Sequence, residues 1–419
     1  LRLIVDLHIH SKYSYACSPD MDVEGMQHWC VLKGIDVVAT GDYCQPHYYK
    51  ELREKLVEAE PGLYRHKGLK NPTRFLCSVE LSLIYKDAGK TRKIHHLVLA
   101  PDIETAGKIG AELAKRGRVD ADGRPIFGIS SRALCEIVWG VSSNCVIIPA
   151  HAWTPWFSIF GSKSGYDSIE ECFGDYSGRI RAIETGLSSD RPMNERLSML
   201  DGIALVSNSD AHSPAKLGRE ANILDCELSY AGIMRCIEEN NPKSFLETIE
   251  FFPEEGKYHM DGHRDCRVCL HPRESLEKKL KCPSCGKPLT LGVLHRIEAL
   301  ADRPWNFRKP AGGVGQRSII PLEELIADAF DCGVATKKVR EEYLHVVAQG
   351  GNEFRILLEA REDELRDYCQ PKVAEGILRV RRKEVKIAPG YDGEFGKISI
   401  FREIEKSFAP KGAVQGKLL

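Results

Sequence analysis

Six short stretches in the first half of this 419-residue chain carry residue types that hold divalent metals. Asp6-Leu7-His8-Ile9-His10 ends an apolar run. Residues two apart in a strand face the same side, so His8 and His10 can reach one metal or two neighbouring ones. Asp6 shares that side and can orient a ligand. Ser209-Asp210-Ala211-His212 repeats the arrangement after Ala204–Asn208, with a carboxylate in place of the first imidazole. Thr40-Gly41-Asp42 ends a third apolar run. Glu80 lies inside the apolar stretch Phe75–Tyr85, where a carboxylate is costly unless paired or metal-bound. There it can bridge two metals. The pair His95-His96 enters Leu97–Ala100, with one imidazole expected to face the sheet interior. His151 follows the apolar stretch Val146–Ala150. Each stretch alone has a plainer reading, such as a packed core histidine or a helix-capping aspartate. All six together would require six coincidences.

These are nitrogen and oxygen donors without sulfur, a set that suits Zn, Mn or Fe. Several such metals in proximity suit phosphoester hydrolysis, because one lowers the pKa of a bound water while its neighbour holds the phosphate. No nucleophile-elbow motif accompanies the isolated Ser and Cys residues, which argues against serine or cysteine catalysis.

A second metal motif is separate. Cys266, Cys269, Cys282 and Cys285 form two C-x-x-C pairs with twelve residues between them. Paired turns of this kind supply four thiolates in tetrahedral array, so the spacing predicts a closed, structural Zn site. The remaining eleven of the fifteen cysteines are scattered. We read them as small buried apolar residues rather than a disulfide framework.

The elements that must position these groups are legible in the first 250 residues. Apolar, β-branched runs at Leu3–Leu7, Asp36–Thr40, Arg74–Leu83, Ile94–Ala100, Cys145–Pro149, Ala182–Glu184 and Ala204–Asn208 predict strands. Helical spacing predicts helices at Asp22–Lys33 and Glu104–Arg116. This alternation implies an α/β fold with a mostly parallel sheet or barrel. Most candidate ligands, and Glu184 with them, sit at strand ends, which in a barrel converge on one site. Three units are expected: residues 1–255 with the metal chemistry, 256–300 with the four cysteines, and 301–419. The last opens with the glycine-rich stretch Lys309–Ser318 and then turns helical over Pro321–Phe330, Lys337–Gln349, Glu362–Tyr368 and Lys372–Arg382.

The composition, 42% hydrophobic and 28% charged, is that of a globular protein. No apolar stretch approaches the roughly 20 residues that span a bilayer. The short apolar run before His8 is not a signal sequence, so a cytoplasmic location with no membrane partner is expected. The net charge of -1 hides an acidic 1–256 and 318–371 against a basic 257–317 and 372–419. The basic stretches can face phosphates or simply solvent.

The stretches DLHIHSKYS, TGD, the strand glutamate, the His151 motif and SDAH resemble the polymerase and histidinol phosphatase (PHP) family over roughly residues 1–250. The resemblance implies a distorted seven-stranded (β/α) barrel and a centre of two or three divalent metals (Zn, Mn, Fe or Mg). It implies His8, His10, Glu80, His151, Asp210 and His212 as catalytic ligands. Asp42 stands where many members have the histidine of T-D-H. Of the 95–96 pair we take His96, because it adjoins the following strand. Many members carry another histidine after H-x-H; Ser14 and Cys17 occupy that region here.

Together with the cysteines and the helical tail, the stretches 151–175, 184–194, 209–222, 313–327 and 388–396 resemble the endonuclease Q family along nearly the whole chain. That resemblance implies hydrolysis of the phosphodiester 5′ to uracil, hypoxanthine, xanthine or an abasic site in DNA, with repair-machinery proteins as further partners. A nuclease that reads a damaged base takes it out of the stack, which needs aromatic surfaces and backbone clamps near the metals. Trp153, Trp156 and Phe160, followed by Lys163, are candidates for that role, with a packed rim loop as the alternative. Lys12, Arg191 and Arg317 are candidate phosphate contacts. A small-molecule phosphatase with the same metal core is the competing function. It would need neither the cysteine module nor the tail.

Overall fold

The computed structural model describes residues 1–309 and 312–401. Pro310 and Ala311 of the glycine-rich stretch, and residues 402–419 of the expected third unit, lie outside the described residues.

The fold is mixed α/β. Strands form at Arg2–Asp6, Val37–Ala39, Arg74–Leu76, Ser78–Asp87, Lys90–Leu99, Val146–Pro149, Ala182–Glu184 and Ala204–Val206. Helices Val23–Lys33 and Ile103–Ala114 lie between them. The first is delimited by its caps: Asp22 accepts from the Gly25 N–H, and Gly34 takes a left-handed conformation. Leu3, Val5, Leu7, Leu97, Leu99, Ile148, Ala182, Ala204 and Val206 meet in one fully buried core, so alternate residues of successive strands fill a common interior.

The pairing is less parallel than the alternation suggests. Arg2–Asp6 pairs parallel with Val37–Ala39, and that strand parallel with Arg74–Leu76. On its other side, however, Arg2–Asp6 pairs antiparallel with Ala221–Asp225. Ser78–Asp87 and Lys90–Leu99 form a ten-residue antiparallel hairpin, and Val146–Pro149 adds antiparallel to it. The cause is local. Ala88 and Gly89 both take positive φ (47° and 76°), giving a two-residue turn of the kind that joins antiparallel strands.

Gly315–Ser318 pairs parallel with Phe245–Glu250 and lies at the edge of the eight-stranded sheet. Beyond it, helices span Leu322–Phe330, Lys337–Gly350, Glu362–Tyr368 and Pro371–Arg381, followed by the short strand pair Lys386–Ala388 and Lys397–Ser399. The helical segment is anchored by a buried ion pair between Lys33 Nζ and Glu353 Oε2 at 2.9 Å. Glu353 also accepts from the Tyr343 hydroxyl and the Leu322 N–H, so the charge is not left uncompensated. No helix among the described residues is long and apolar enough to cross a membrane.

Candidate metal centre

The chain just past the C-terminal ends of the strands Arg2–Asp6 and Ala204–Val206 converges. Ile9 bridges Ala211 in parallel, and the His10 N–H donates to the Ala211 carbonyl at 3.0 Å. This places the H-x-H residues beside Asp210 and His212. Asp6 supports the arrangement from below: its carboxylate accepts from the N–H groups of Ser209 and Gly218. It thus orients the loop rather than a ligand. Burial, opposed in part by these hydrogen bonds, raises its pKa to about 6.

Two overlapping donor groups result. One atom each from His8, His10, Glu80 and Asp210 lie within 4.8 Å of one another, as do atoms from Glu80, His95 and His151. Glu80, fully buried, belongs to both groups. Its Oε2 lies 3.6 Å from His8 Nε2 and 3.1 Å from His10 Nε2, and its Oε1 lies 2.6 Å from His95 Nδ1 and 3.0 Å from His151 Nε2. Asp210 Oδ1 is 3.2 Å from His10 Nε2 and 3.8 Å from His8 Nε2. His8 Nε2, His10 Nε2 and Asp210 Oδ1 are buried without a hydrogen-bond partner. Buried polar atoms are rarely left so, and three of them converging on a shared carboxylate fit bound cations.

The outer atoms of these ligands are fixed. His8 Nδ1 donates to Glu184, both of whose oxygens are 3.0 Å away. Glu184 also accepts from the His151 N–H at 2.7 Å and from Asn208 Nδ2 at 3.0 Å. The first of these bonds turns the inner ring nitrogen of His8 toward the centre, and the other two hold Glu184 in place for it. His10 Nδ1 faces Asp42 Oδ1 at 3.2 Å. Asp42 Oδ2 accepts from the Ser11 N–H, the Ser11 hydroxyl and the Ser14 hydroxyl at 2.6–2.8 Å. The structure therefore places Asp42 behind His10 as its orienting partner, outside both donor groups. The sequence pointed to Glu184 as a strand-end carboxylate, but only the fold shows what it holds.

The electrostatics follow from this crowding. Burial disfavours the charged form of His8 and His10, but the surrounding carboxylates outweigh it and hold both well above the ordinary imidazole value. Burial likewise opposes ionisation of Glu80, yet His95, Arg124 and His8 hold it well below the usual carboxylate range. Backbone strain concentrates at the same place: Asp42, His151 and Asp210 have φ of 46°, 30° and 46°. Such conformations persist where surrounding structure over-determines them, often at functional sites. Gly186 is one part of that structure, since a Cβ there would lie 2.8 Å from the His151 Cβ.

The choice of His96 is corrected. His95 joins Glu80 and His151, whereas His96 points to the other face, with Nε2 2.8 Å from the Ser131 hydroxyl and its ring against Phe173. Consecutive strand residues face opposite ways, so adjoining the next strand residues did not decide which faced the site. Burial pushes His96 down to about 3 and keeps it neutral. His212 lies at the mouth, its ring centroid 4.5 Å from that of His10 and its Nδ1–H donated to the Asp210 carbonyl at 2.9 Å. It is outside both donor groups.

A cleft of about 1010 Å³ opens over the centre, with His95, His151, Asp210 and His212 among its lining. Trp156, Phe157, Phe251, Tyr258 and Phe395 contribute aromatic surface, and Lys93, Lys216, Arg219 and Lys257 contribute charge. Of the residues expected to meet a ligand, Trp156 is in this lining and 40% exposed. Trp153 and Phe160 are not: they stack on each other in the core, and the Trp153 indole donates to Asn194 at 2.6 Å. Arg191 is buried, donating to the Leu205 carbonyl, and Arg317 is paired with Glu247. Lys12 pairs with Glu51 at 3.0 Å, and Lys163 is exposed. Phe251 and Tyr258 carried no sequence signal, and Phe395 was not singled out within the stretch 388–396, because the three come from loops brought together only by folding.

The cysteine module also differs from the spacing-based expectation. His263, Cys266, Cys282 and Cys285 supply the four-atom group, and Cys269 does not take part. Cys269 lies in the strand Val268–Leu270 opposite Gly262, buried, where burial pushes its thiol up to about 12. His263, one residue along the facing strand, takes its place. The result is a Cys₃His donor set, which is as closed as a four-cysteine one.

Residues 321–384 match the family described as the MJ0043 C-terminal domain. Uncharacterized protein MJ0043 of Methanocaldococcus jannaschii is 34% identical over 275 residues, taking in 62% of this chain. The chain spans 32% of that protein's length. The crystal structure of the lesion-specific endonuclease PfuEndoQ from Pyrococcus furiosus is similar over 97% of this chain and 98% of its own, with a TM-score of 0.84 and 28% identity. Endonuclease Q in complex with a 27-mer duplex substrate carrying an abasic lesion at the active site is similar over 99% of both chains, with a TM-score of 0.83 and 28% identity. Over near-complete length in both directions, the chain is therefore similar in fold and sequence to the endonuclease Q structures.

Proposed function

We propose that this protein is a metal-dependent DNA repair endonuclease. It hydrolyses the phosphodiester 5′ to a deaminated base (uracil, hypoxanthine or xanthine) or an abasic site, leaving a 3′-hydroxyl and a 5′-phosphate. One observation carries the reading: the likeness to a lesion-specific endonuclease and to an abasic-DNA complex runs the full length of the chain, and the two histidine–carboxylate groups lie under an aromatic cleft.

His8, His10, Glu80 and Asp210 would hold one divalent ion, and Glu80, His95 and His151 a second, with Glu80 shared. Bound there, the ions supply a water of lowered pKa and a clamp on phosphate oxygens. The chain itself does the rest. Glu184 and Asn208 fix His8, and Asp42 with Ser11 and Ser14 fixes His10, so the inner nitrogens need not reorganise. Trp156 and Phe395, 40% and 65% exposed, offer faces on which an unstacked nucleotide can rest. Lys93, Arg219 and Lys257 bring positive charge to the phosphate backbone, while Lys216 is paired with Glu324. A Zn ion on His263, Cys266, Cys282 and Cys285 would tie together a module too small to hold a large core of its own.

The test is cleavage of end-labelled duplexes carrying a single lesion, with Mn, Mg or Zn added and product ends mapped. Incision directly 5′ to the lesion is expected, with undamaged duplex left intact. Asp210→Asn and Glu80→Gln should bind lesion DNA but not nick it. Hydrolysis of small phosphate monoesters, with lesion DNA uncut, would replace this reading with a PHP-type phosphatase.

A further inference from the structure

The Asp42 side of the centre is built unlike the Glu80 side. A third divalent ion would need donors there, and the residues present do not fit one. Asp42 already faces four donor groups, from His10, Ser11 (two) and Ser14. Ser14 and Cys17 stand where the resemblance leads one to expect an imidazole. His212, whose Nδ1–H goes to a backbone carbonyl, lies outside both donor groups.

A side chain brings positive charge to this space. Arg124 Nη1 lies 3.0 Å from Glu80 Oε2, on the edge of the bridging carboxylate. The position of Arg124 is built, not incidental. The Gly123 N–H donates to the Tyr13 carbonyl at 3.0 Å, and a Cβ on Gly123 would lie 2.3 Å from Asp42 Oδ2 and 2.4 Å from Ser14 Oγ. The loop is thus pressed against the Asp42–Ser14 pair at a residue that admits no side chain. On either side of Arg124, its own N–H donates to Asp122 and the Pro125 carbonyl accepts from the Ser82 N–H. The side chain is 28% exposed, so donors not spent on Glu80 remain open to solvent beside the centre.

We infer that the Arg124 guanidinium stands in for a third cation: the centre takes two divalent ions, and Arg124 contacts a non-bridging oxygen of the scissile phosphate as charge develops on it. This deepens the endonuclease reading and rests on it. A guanidinium is suited to the task, being always charged and matching phosphate geometry with two parallel N–H donors.

The experiment has an arm that does not depend on cleavage. Full-length protein with zinc in its cysteine module is loaded with manganese(II), freed of excess and analysed for both metals. Two manganese ions per chain are expected, and three would overturn the inference. Arg124→Gln and Arg124→Lys are then compared. Both should bind manganese(II) at least as tightly as the parent, because a charge facing Glu80 is removed or loosened. Arg124→Gln should lose about 100-fold or more in single-turnover nicking, as when one preorganised donor to a developing oxyanion is lost. Added guanidinium should restore part of that activity, and added methylammonium less. Unchanged nicking, or a folded Arg124→Gln that guanidinium does not rescue, would refute the role. If the parent nicks no lesion DNA, the endonuclease reading fails, while the ion count still decides whether Arg124 replaces a cation.

Discussion

Glu184→Gln tests the outer shell of the metal centre with the smallest change in shape. The wild-type carboxylate, 1% exposed, takes three donors: His8 Nδ1, the His151 N–H at 2.7 Å and Asn208 Nδ2 at 3.0 Å. An amide has one acceptor oxygen and presents its NH₂ where the second oxygen was. If the oxygen serves His8 and Asn208, the NH₂ meets the His151 N–H and leaves it unsatisfied. If it serves His151, it can still accept from His8, but the NH₂ then meets Asn208 Nδ2 and strands that donor. Either way one buried donor is stranded, at about 1–3 kcal/mol. One effect runs the other way. Glu184 is the largest of the charges that raise the His8 pKa, so its removal lessens proton competition for the inner nitrogen. Loss of orientation should win, because outer-shell partners of histidine ligands are worth about 10–100-fold in metal affinity. That range corresponds to about 1.4–2.8 kcal/mol. Calorimetric titration of metal-free protein with manganese(II) measures it directly, with circular dichroism to confirm the fold. A folded Glu184→Gln that binds manganese(II) as tightly as wild type would show that this network does not support the centre.

Three further outcomes are expected. His95→Ala should lose one divalent ion per chain by elemental analysis, whereas His96→Ala should keep both and instead lower stability by roughly 2–5 kcal/mol in denaturant titration, as for other buried truncations. His263→Ala should release the metal of the cysteine module, and Cys269→Ala should retain it; the reverse pattern would restore a four-cysteine site. Metal uptake should strengthen with pH. In the metal-free protein His8 and His10 stay protonated above the ordinary imidazole value of about 6.5, so binding must expel protons. The stability their ion pairs contribute is present below that value and lost as pH rises through the raised ones, so added metal should raise the melting temperature more at alkaline pH. Titrations in two buffers of different ionisation enthalpy would show the proton release, and a pH-independent affinity would contradict these shifts.

The sequence by itself determined which residues could hold metal and on which elements they lie. His8, His10, Glu80, His151 and Asp210 were legible because each breaks an apolar run, and a charged or imidazole group at such a place needs a reason. The strands around them were legible for the same cause, since β-branched runs ending in polar residues leave few other conformations. Tertiary structure alone decided the rest. His95 and His96 are adjacent in sequence, and their roles differ only by which face of the strand each occupies. Asp42 and Glu184 look alike as strand-end carboxylates, but each became an orienting partner through donors that lie far away along the chain. Trp153 and Trp156 share one loop, yet one packs inward and the other lines the cleft. His263 displaced Cys269 because strand register, not C-x-x-C spacing, sets which side chain faces the cluster. Arg124 carried no motif at all; a glycine pressed against Asp42 is what brings it to Glu80. Ligand type follows from residue chemistry, which is local, whereas ligand geometry follows from contacts between segments that only the folded chain brings together.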